Sequence, residues 1–447
     1  MTRERPLLIV AHAFPPSGGA GVRRVLKMVQ YLARWGWDIT VLAPKRGKQF
    51  AYPYDPSLLT QVPADVQVVE TFTPESWVRP STVPPNSRSS QVHHAKVSVA
   101  FFRSRYRRLY KQLGALVGIP EAAIMWLPFA VWAGFRILHQ SKARVIFATA
   151  PPHSALMIAT VLKKLTGIPL VLEFRDAWIA EPGRSYSSVW RRRIETQQEE
   201  WCVRAADRVV SVTEGVTRDF VERYAGIVSP EVFVTIPNGY DREDFCTIPA
   251  VKDEVRDRFR IVYTGTLAGK RTPRYFLKAL HELFRTRPEL RSKVEVLFVG
   301  KSDRFCDGRH LEEYIQMYKL GDVVHVVGFV SRQESLCYQL KADLLLLLVG
   351  VVPVEESQCY GLSAKVFDYA LTGKPVLAIA EDGATADFVR ASGIGEVVSH
   401  HDTAGIVASV ERALTDRFTY QPRQDILAKY DYGVLLQQME SLLLEHC

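Results

Sequence analysis

Short apolar runs alternate with helical patterns along almost the whole chain, from residues 7–10 to residues 395–398. Such runs are typical of strands that are buried on both faces of a parallel sheet, and each parallel connection needs a crossover, usually a helix. The pattern therefore predicts an α/β protein built from βαβ units. In sheets of this kind, ligands bind at the carboxyl ends of the strands.

The length of the chain requires more than one hydrophobic core. At 447 residues it exceeds the size at which a single core stops growing, and the alternation is interrupted at 241–258 by turn residues and mixed charges. We therefore predict two Rossmann-like domains, at 1–240 and 259–423, joined by this linker. Residues 424–447 are predicted to be a helix that packs back on the first domain, and residues 45–95 an irregular insertion in that domain, with Val66–Glu70 as its only strand-like stretch.

The charge balance is basic, with a formal net charge of +9 and a pI near 9.1, which favours an anionic partner such as a nucleotide or a phospholipid surface. No nucleic-acid-binding module accompanies this charge, so nucleic acid is not an expected partner. The six cysteines lie far apart without a C-x-x-C pair, which favours reduced thiols over a disulfide framework or a zinc site. No signal peptide pattern occurs, and the apolar block Leu344–Val354 is well short of the roughly 20 residues that span a bilayer, so we expect a cytoplasmic protein that does not cross a membrane.

Residues 96–117 have the pattern of a basic amphipathic helix. No acid occurs between Lys96 and Pro120, and cations cover much of the surface that the apolar stripe leaves. The stripe consists of Phe102, Tyr106, Leu109, Leu113 and Leu116. Two interpretations stay open: a helix lying on the inner face of an anionic membrane, and a surface helix with a solvated basic face.

A polar loop that runs into a helix is predicted within residues 355–379. The helix is predicted to begin near Gly361 and to end at Gly373, because glycine is the usual left-handed stop. The amino end of a helix presents free N–H groups and partial positive charge to an anion. Lys365 is the cation suited to a phosphate, and the Asp368 carboxylate can accept from two ribose hydroxyls. A surface pair at i, i+3 spacing is the alternative for these two residues.

Two adjacent cations follow the first strand of the second half, in TGTLAGKRTP. Gly265 and Gly269 make the turn flexible, and Lys270 and Arg271 would neutralise a diphosphate as it leaves. A solvated basic turn is the alternative. No D-x-D, closely spaced His or Cys set, Walker A or G-x-S-x-G pattern occurs, so we expect neither a metal nor another cofactor.

The first half has a glycine-rich loop after its first strand, in HAFPPSGGAGVRR. Gly18, Gly19 and Gly21 allow a tight turn before a helix, and Arg23 and Arg24 indicate an anionic ligand. A glycine turn used only for packing is the alternative. The spacing differs from G-x-G-x-x-G and no acid ends the second strand, so the loop does not favour NAD.

Polar side chains also follow two later strands of the first half. His153, in ATAPPHS, is placed to donate a hydrogen bond to a phosphate or a substrate hydroxyl, or else simply begins a helix. Arg175 and Asp176, in EFRDAW, lie at a strand's carboxyl end, where binding groups collect. A structural salt bridge between the two is the alternative.

Taken in order, these motifs resemble family 4 glycosyltransferases, which have the GT-B fold. The first half carries FPPSGGAGVRR, IPEAAIMWLPFAVWAG, IFATAPPHSALMIA and IPLVLEFRDAW, and the second PNGYD, VYTGTLAGKR and KVFDYALTGKPVLA. Each motif alone is loose, but their order covers nearly the whole chain. The set is similar to a branch that includes glycosyltransferases of bacterial surface polysaccharide synthesis.

The resemblance implies two facing Rossmann-like domains with a cleft between them, and retaining transfer of a sugar from a nucleotide diphosphate donor without a metal. A UDP-sugar is the first expectation for the donor, and the acceptor would be a glycan, lipid-linked or other hydroxyl. The implied catalytic residues are Lys270, Arg271, Asp176 and His153. The implied donor-binding residues are Gly265, Thr266, Gly328, Phe329, Glu356, Gly361, Leu362, Ser363, Lys365 and Asp368. The acceptor side would be lined by Gly18, Gly19, Gly21, Arg23 and Arg175.

The chain departs from the family pattern at three positions. The later acid of the Glu-x7-Glu motif falls at Asp368 and the earlier one at Tyr360, where Glu355 or Glu356 would have to substitute. Thr266 stands where many members carry an arginine. These departures leave two alternatives open: a non-catalytic GT-B partner, and another GT-B enzyme such as an epimerase or a phosphorylase.

Overall fold

The computed structural model describes residues 5–45, 55–74, 118–181, 184, 186–246, 248, 257–351 and 361–446. The chain divides into two compact units. Unit 1 comprises Met1–Ile236 and Leu436–Cys447, and unit 2 comprises Pro237–Leu435. Each unit has a parallel sheet at its centre, as the alternation of apolar runs and helical patterns predicts.

The sheet of unit 1 has seven parallel strands in the order β3-β2-β1-β4-β5-β6-β7. The strands are β1 (Arg5–Ala11), β2 (Trp37–Pro44), β3 (Gln67–Thr71), β4 (Val145–Ala150), β5 (Leu170–Phe174), β6 (Arg208–Ser211) and β7 (Phe233–Thr235). β4 and β5 are buried along their whole length, because helices cover both faces. The strand order reverses between β1 and β4, and this switch point is where open α/β sheets bind ligands.

In the described residues up to position 236, five helices accompany this sheet. They are α1 (Ala20–Arg34), α2 (Leu127–Ser141), α3 (Ser154–Thr166), α4 (Val189–Ala205) and α5 (Glu214–Arg223). Three short 3₁₀ helices lie at Pro56–Gln61, Ala122–Trp126 and Pro230–Val232. The sequence did not predict α2, because its apolar residues lie on all sides and give no clear periodicity.

The insertion predicted at 45–95 contains regular structure. Its described part, residues 55–74, holds the first 3₁₀ helix and β3, which pairs with β2 through Val41 and Val68. Leu58 is buried against Val22, on α1. Residues 75–117, which include the predicted amphipathic segment, lie outside the described residues.

The main sheet of unit 2 has six parallel strands in the order β12-β10-β8-β13-β14-β15, and β9 pairs separately with β11. The strands are β8 (Phe259–Thr264), β9 (Leu267–Gly269), β10 (Val294–Val299), β11 (Ser302–Phe305), β12 (Val324–Gly328), β13 (Leu344–Leu348), β14 (Val376–Ile379) and β15 (Gly395–Val398). Here the order reverses between β8 and β13, so this unit too has a switch point.

Nine helices complete the described chain from residue 237 onward. They are α6 (Glu243–Cys246), α7 (Arg274–Thr286), α8 (Leu311–Met317), α9 (Arg332–Leu340), α10 (Lys365–Leu371), α11 (Ala384–Ser392), α12 (Thr403–Leu414), α13 (Gln424–Leu427) and α14 (Tyr432–Leu444). Pro288–Lys293 and Ala428–Tyr430 are 3₁₀ helices. α6 lies within the predicted linker, which is therefore not wholly irregular.

The predicted C-terminal helix is interrupted. Asp431 has an extended backbone, and its side chain accepts from the Gly433 N–H at 2.8 Å, so α14 is a new helix. The interruption lets the backbone pair with Tyr240, whose N–H donates to the Tyr430 carbonyl at 3.0 Å. Residues beyond 435 belong to unit 1, where Glu440 accepts from Trp37 Nε1 at 2.9 Å. The predicted return of the C-terminal helix to the first domain is thus confirmed.

Candidate functional site

Three glycines lie at the carboxyl ends of adjacent strands of unit 2. Gly265, Gly300 and Gly328 have φ of +113°, +136° and +86°, a region that favours glycine. The Gly300 N–H donates to the Gly328 carbonyl at 2.7 Å, and a Cβ on Gly300 would collide with the carbonyl of Gly265. The absence of side chains at these positions therefore lets neighbouring groups pack closely against the backbone beside the switch point.

Lys365 lies across this glycine edge. A Cβ at Gly265 would be 2.6 Å from its ammonium nitrogen, Nζ, which donates to the Tyr263 hydroxyl at 2.5 Å and lies 4.3 Å from the Tyr263 ring centroid. No carboxylate among the described residues pairs with it. Burial holds the pKa of Lys365 well below its ordinary value, and the positive charge of Arg271 lowers it further. The ammonium is thus held without a counter-charge.

Arg271 and Lys270 add two more cations at the same edge. Arg271 NH1 donates to the Thr266 carbonyl at 3.4 Å, and its buried Nε has no hydrogen-bond partner among the described residues. The Lys270 carbonyl accepts from the Val351 N–H at 3.0 Å, which fixes the backbone at the cation pair. Neither side chain forms an ion pair in the described part of the chain. Cations gathered without acids form a site for an anion.

The Asp368 carboxylate is not free in this structure. It forms a bidentate ion pair with Arg332, with NH1 and NH2 each 2.5 Å from a carboxylate oxygen. Asp244 lies 3.9 Å from the same guanidinium. Burial alone would lower the pKa of Arg332, but the two carboxylates, Asp368 above all, outweigh it and raise the pKa. A ribose at Asp368 would therefore share the carboxylate with Arg332, a residue that sequence motifs did not indicate.

The helix that carries Lys365 begins four residues later than the sequence predicted. α10 starts at Lys365, and Gly361, Leu362 and Ser363 precede it as a loop in which the Ser363 N–H donates to the Thr385 hydroxyl at 3.1 Å. The prediction of a helix start near Gly361 was wrong, since the helix begins at Lys365 and the Ser363 N–H hydrogen-bonds outside it. Gly373 has φ +70° and ends the helix, as predicted. Glu356 and Tyr360 lie outside the described residues.

An aromatic ring stands exposed beside the last of the three glycines. Phe329 directly follows Gly328 and is 70% exposed, with Lys301 Nζ 5.2 Å from its ring centroid. An exposed aromatic ring with a cation beside it suits a flat, anionic ligand. The sequence indicated Phe329 but gave no signal for Lys301.

The glycine loop of unit 1 lies against Arg175. Gly19 has φ +111°, and the Arg175 guanidinium occupies the place that a Cβ on Gly21 would take. Arg175 donates to the carbonyls of Ala150 and Pro151 at 3.1 and 2.6 Å. Gly21 and Arg175 therefore meet at the carboxyl ends of β1, β4 and β5, beside the switch point of this sheet.

Arg24 is a structural residue, contrary to the prediction that it faces an anionic ligand. It is buried, forms an ion pair with Glu173 at 2.8 Å and donates to the Ile236 carbonyl at 2.8 Å. Glu173 also accepts from the Thr149 hydroxyl at 2.6 Å. The buried Glu173 carboxylate on β5 thus explains why Arg24 is buried beside it, because a buried charge requires a partner. Arg23, one position earlier, is only partly buried.

His153 is buried between an acid and an aromatic ring. Its Nδ1 lies 3.6 Å from a Glu121 carboxylate oxygen, and its ring stacks on Trp178 with centroids 4.5 Å apart. Burial raises the pKa of Glu121, but hydrogen bonds from His153 and Ser154 outweigh burial and lower it. His153 Nε2 is buried without a hydrogen-bond partner among the described residues, so this nitrogen is available to a ligand. Nothing in the sequence indicated Glu121.

Asp176 follows β5 as an exposed side chain. It makes no ion pair with any residue that the structure describes, so the alternative of a salt bridge to Arg175 is not realised. Across the described ranges, no three His, Cys, Asp or Glu side chains gather as a metal site. Three of the cysteines, Cys202, Cys306 and Cys337, are free thiols.

Comparisons with known proteins agree with this architecture. Residues 18–239 match the glycosyl transferase 4-like domain, and residues 246–432 match the glycosyl transferases group 1 model. The D-inositol 3-phosphate glycosyltransferase of Kineococcus radiotolerans is 26% identical over 155 residues, which are 33% of this chain and 35% of that protein. The match thus spans about a third of this relative's length.

Solved structures are similar over nearly the full chain. The sucrose-phosphate synthase of Thermosynechococcus elongatus has a TM-score of 0.63 at 16% identity, covering 99% of both chains. A glycosyltransferase from Rickettsia africae has a TM-score of 0.62 at 12% identity, covering 99% of this chain and 98% of that one. Identities this low show the fold alone. With the two family models and the motif order, they establish that the chain belongs to the group 1 glycosyltransferases of family 4, with two Rossmann-like domains of the GT-B type.

Proposed function

We propose that this protein transfers a sugar from a nucleotide diphosphate sugar to a hydroxyl acceptor, with retention of configuration and without a metal. The observation that carries the proposal is the cation cluster of unit 2. Lys365 and Arg271 lie together at the switch-point edge of the sheet without a carboxylate partner among the described residues, and Lys270 precedes Arg271 in the same turn. A diphosphate supplies the missing negative charge, and it is also the group that must be stabilised as it leaves.

The remaining donor contacts follow from the position of the diphosphate. Gly265 leaves room for the Lys365 side chain, which would contact the phosphates, and residues 361–363 would border the transferred sugar. The ribose would be held at Asp368, with Arg332 fixing the orientation of that carboxylate. The base would lie against Gly328 and Phe329. We propose a UDP-sugar as the first donor to test.

Unit 1 would provide the acceptor side. His153 presents an unpartnered Nε2, and Asp176 is exposed at the end of the neighbouring strand. The loop with Gly18 and Gly19 would leave space for the acceptor. We propose a glycan or lipid-linked acceptor, as in the synthesis of surface polysaccharides. The support for this acceptor is the motif resemblance.

The proposed mechanism rests on charge rather than on a covalent intermediate. The cations of unit 2 stabilise the departing diphosphate, and the leaving phosphate itself takes the proton of the acceptor hydroxyl at the front face. His153 Nε2 would hydrogen-bond the sugar or the acceptor and orient it. No step needs a metal to neutralise charge, because Lys365 and Arg271 provide it.

The decisive test measures nucleotide binding and turnover together. Lys365→Ala and Arg271→Ala should each weaken binding of a nucleoside diphosphate about tenfold or more, since each removes a charged contact. Arg285→Ala is the matched control, because Arg285 is 68% exposed on α7 and pairs only with Glu282 among the described residues. Unchanged affinity in the first two variants would refute the donor site. Release of sugar phosphate or of an epimerised nucleotide sugar would refute the reaction.

One observation favours a second candidate, a binding partner without activity. Both oxygens of the Asp368 carboxylate accept from Arg332, and Tyr360 is found where the family has an acid. Such a protein would bind the nucleotide sugar through Lys365 and Arg271 without transferring it. Binding with no turnover across a broad panel of acceptors would support this candidate against the enzyme.

A further inference from the structure

One helix of unit 1 is apolar on the side that faces away from the core. The stretch Ala122–Ser141, a 3₁₀ turn followed by α2, has the length and composition of a bilayer-spanning helix, and its most apolar 18-residue window has a mean hydropathy of 1.3. It contains no acid. Only 33% of its most apolar window is buried. A core helix would be mostly buried, so the exposed side of this helix requires an explanation.

The inner side of α2 holds it within unit 1. Its buried residues are Ala130, Ala133, Gly134, Ile137 and Leu138. A Cβ on Gly134 would lie 2.7 Å from Leu162 of α3 and 3.3 Å from Leu42 of β2. The helix therefore packs closely on its neighbours, and leaving the unit to span a membrane would break up this core. The apolar outer side can only lie on a partner.

The outer side of α2 is aromatic and positively charged. Phe129, Trp132 and Phe135 recur at every third position, with exposed fractions of 38%, 65% and 36%. The ring of Phe72 meets that of Phe129, with centroids 5.0 Å apart. The Arg136 guanidinium lies 4.9 Å from the Trp132 ring centroid, so the cation stands beside the exposed indole. We call these residues of α2 its aromatic face.

We propose that the aromatic face docks on the surface of an anionic lipid bilayer. Tryptophan and phenylalanine rings settle at the level of the lipid headgroups, and a neighbouring arginine keeps its charge near the phosphates. Arg136 supplies that cation beside the rings, the exposed Lys142 follows the end of α2, and no acid of the helix opposes an anionic surface. The net charge of +9 acts in the same direction.

The positive charge of the aromatic face also argues against two other occupants, a second copy of the chain and the chain's own residues 96–117. A second copy would bring the same acid-free, cationic face into contact with itself, and like charges repel. The chain's own residues 96–117 are rich in arginine and contain no acid, so they offer Arg136 no partner. An anionic membrane complements both the rings and the charge.

Vesicle flotation tests the proposal on the full chain. Vesicles of phosphatidylcholine mixed with phosphatidylglycerol should float the wild-type protein, and vesicles of phosphatidylcholine alone should float much less of it. Trp132→Ser combined with Phe135→Ser should reduce partitioning about tenfold or more, because two apolar rings no longer enter the interface. The matched control is Trp190→Ser, since Trp190 is 73% exposed on α4 of the same unit. Far-UV circular dichroism verifies that each variant is folded.

Several results would overturn the proposal. Equal loss of partitioning in Trp190→Ser would mean that any exposed ring causes the binding. A dimer that becomes a monomer in the double variant, without a change in flotation, would assign the face to a second copy. Faster proteolysis between residues 75 and 117 in the double variant, again without a change in flotation, would assign it to the chain's own segment. Arg136→Glu should weaken binding to the anionic vesicles only, and equal binding to both vesicle types would contradict the role of charge.

Discussion

At the scale of the residue, Lys365 is the most informative side chain of unit 2. Its ammonium is partly buried, donates to the Tyr263 hydroxyl and has no described carboxylate beside it. Burial and Arg271 lower its pKa, so the folded protein resists protonating it. An anionic ligand would supply the missing negative charge and favour the protonated form. Ligand binding and protonation of Lys365 are therefore coupled.

This coupling predicts a pH dependence of nucleotide binding. Above the lowered pKa of Lys365, binding must be accompanied by proton uptake, so affinity should fall by up to about tenfold for each further pH unit. Calorimetric titration of the nucleoside diphosphate in buffers of different ionisation enthalpy measures that uptake directly. Lys365→Arg keeps the charge at every pH and should abolish the uptake. Proton uptake that persists in Lys365→Arg would assign the linkage to another group.

The same pKa shift also predicts how unit 2 responds to pH in the absence of a ligand. The unfolded chain protonates Lys365 more readily than the folded one. The free energy of unfolding should therefore rise with pH between the lowered pKa and the ordinary value of about 10.4. Denaturant titrations of the wild type and of Lys365→Met across this pH range measure how much Lys365 contributes to the slope of the unfolding free energy against pH. An equal slope in the two proteins would contradict this prediction.

At the scale of the element, the Arg332–Asp368 pair joins α9 to α10. Arg332→Gln should remove the bidentate pair and leave Asp368 partly buried without its counter-charge, a loss of roughly 2 kcal/mol in local stability. Hydrogen exchange of residues 365–371 should then be faster. Arg390→Gln is the control, because Arg390 is half exposed and pairs with the exposed Asp382. Unchanged exchange in α10 would mean that packing alone holds this helix.

The elements also show what sequence patterns can predict. The run Leu344–Leu348 is a buried strand, as its five consecutive leucines indicate. α2 escaped prediction because the residues on its outer side are as apolar as those on its inner side. The role of Arg332 could not be predicted either, since its partner lies 36 positions away and no motif joins the two. Hydrophobic periodicity in the sequence shows which side of a helix or strand faces the core. It does not show which residues from distant parts of the chain contact each other.

At the scale of the whole molecule, the C-terminal helix contributes to the stability of unit 1. Glu440 accepts from Trp37 Nε1 at 2.9 Å and from Arg5 at 3.0 Å, beside the fully buried ring of Trp37. Glu440→Ala should therefore lower the stability of unit 1 by about 1–3 kcal/mol, because the indole N–H loses its acceptor. Near-UV circular dichroism during denaturation measures this loss. Glu445→Ala, which removes an exposed pair with Arg208, should cost much less.

The division of the chain has a consequence for exchanging parts between related proteins. Unit 1 is encoded in two separate stretches, Met1–Ile236 and Leu436–Cys447, so the chain enters unit 2 once and leaves it once. The second crossing falls inside α14, between Leu435 and Leu436, and not in a loop. A chimera with a foreign unit 2 must therefore be spliced at two points and keep the final twelve residues of the parent that supplies the amino-terminal half. A single splice near residue 240 would leave unit 1 to pack against a helix selected for another sheet.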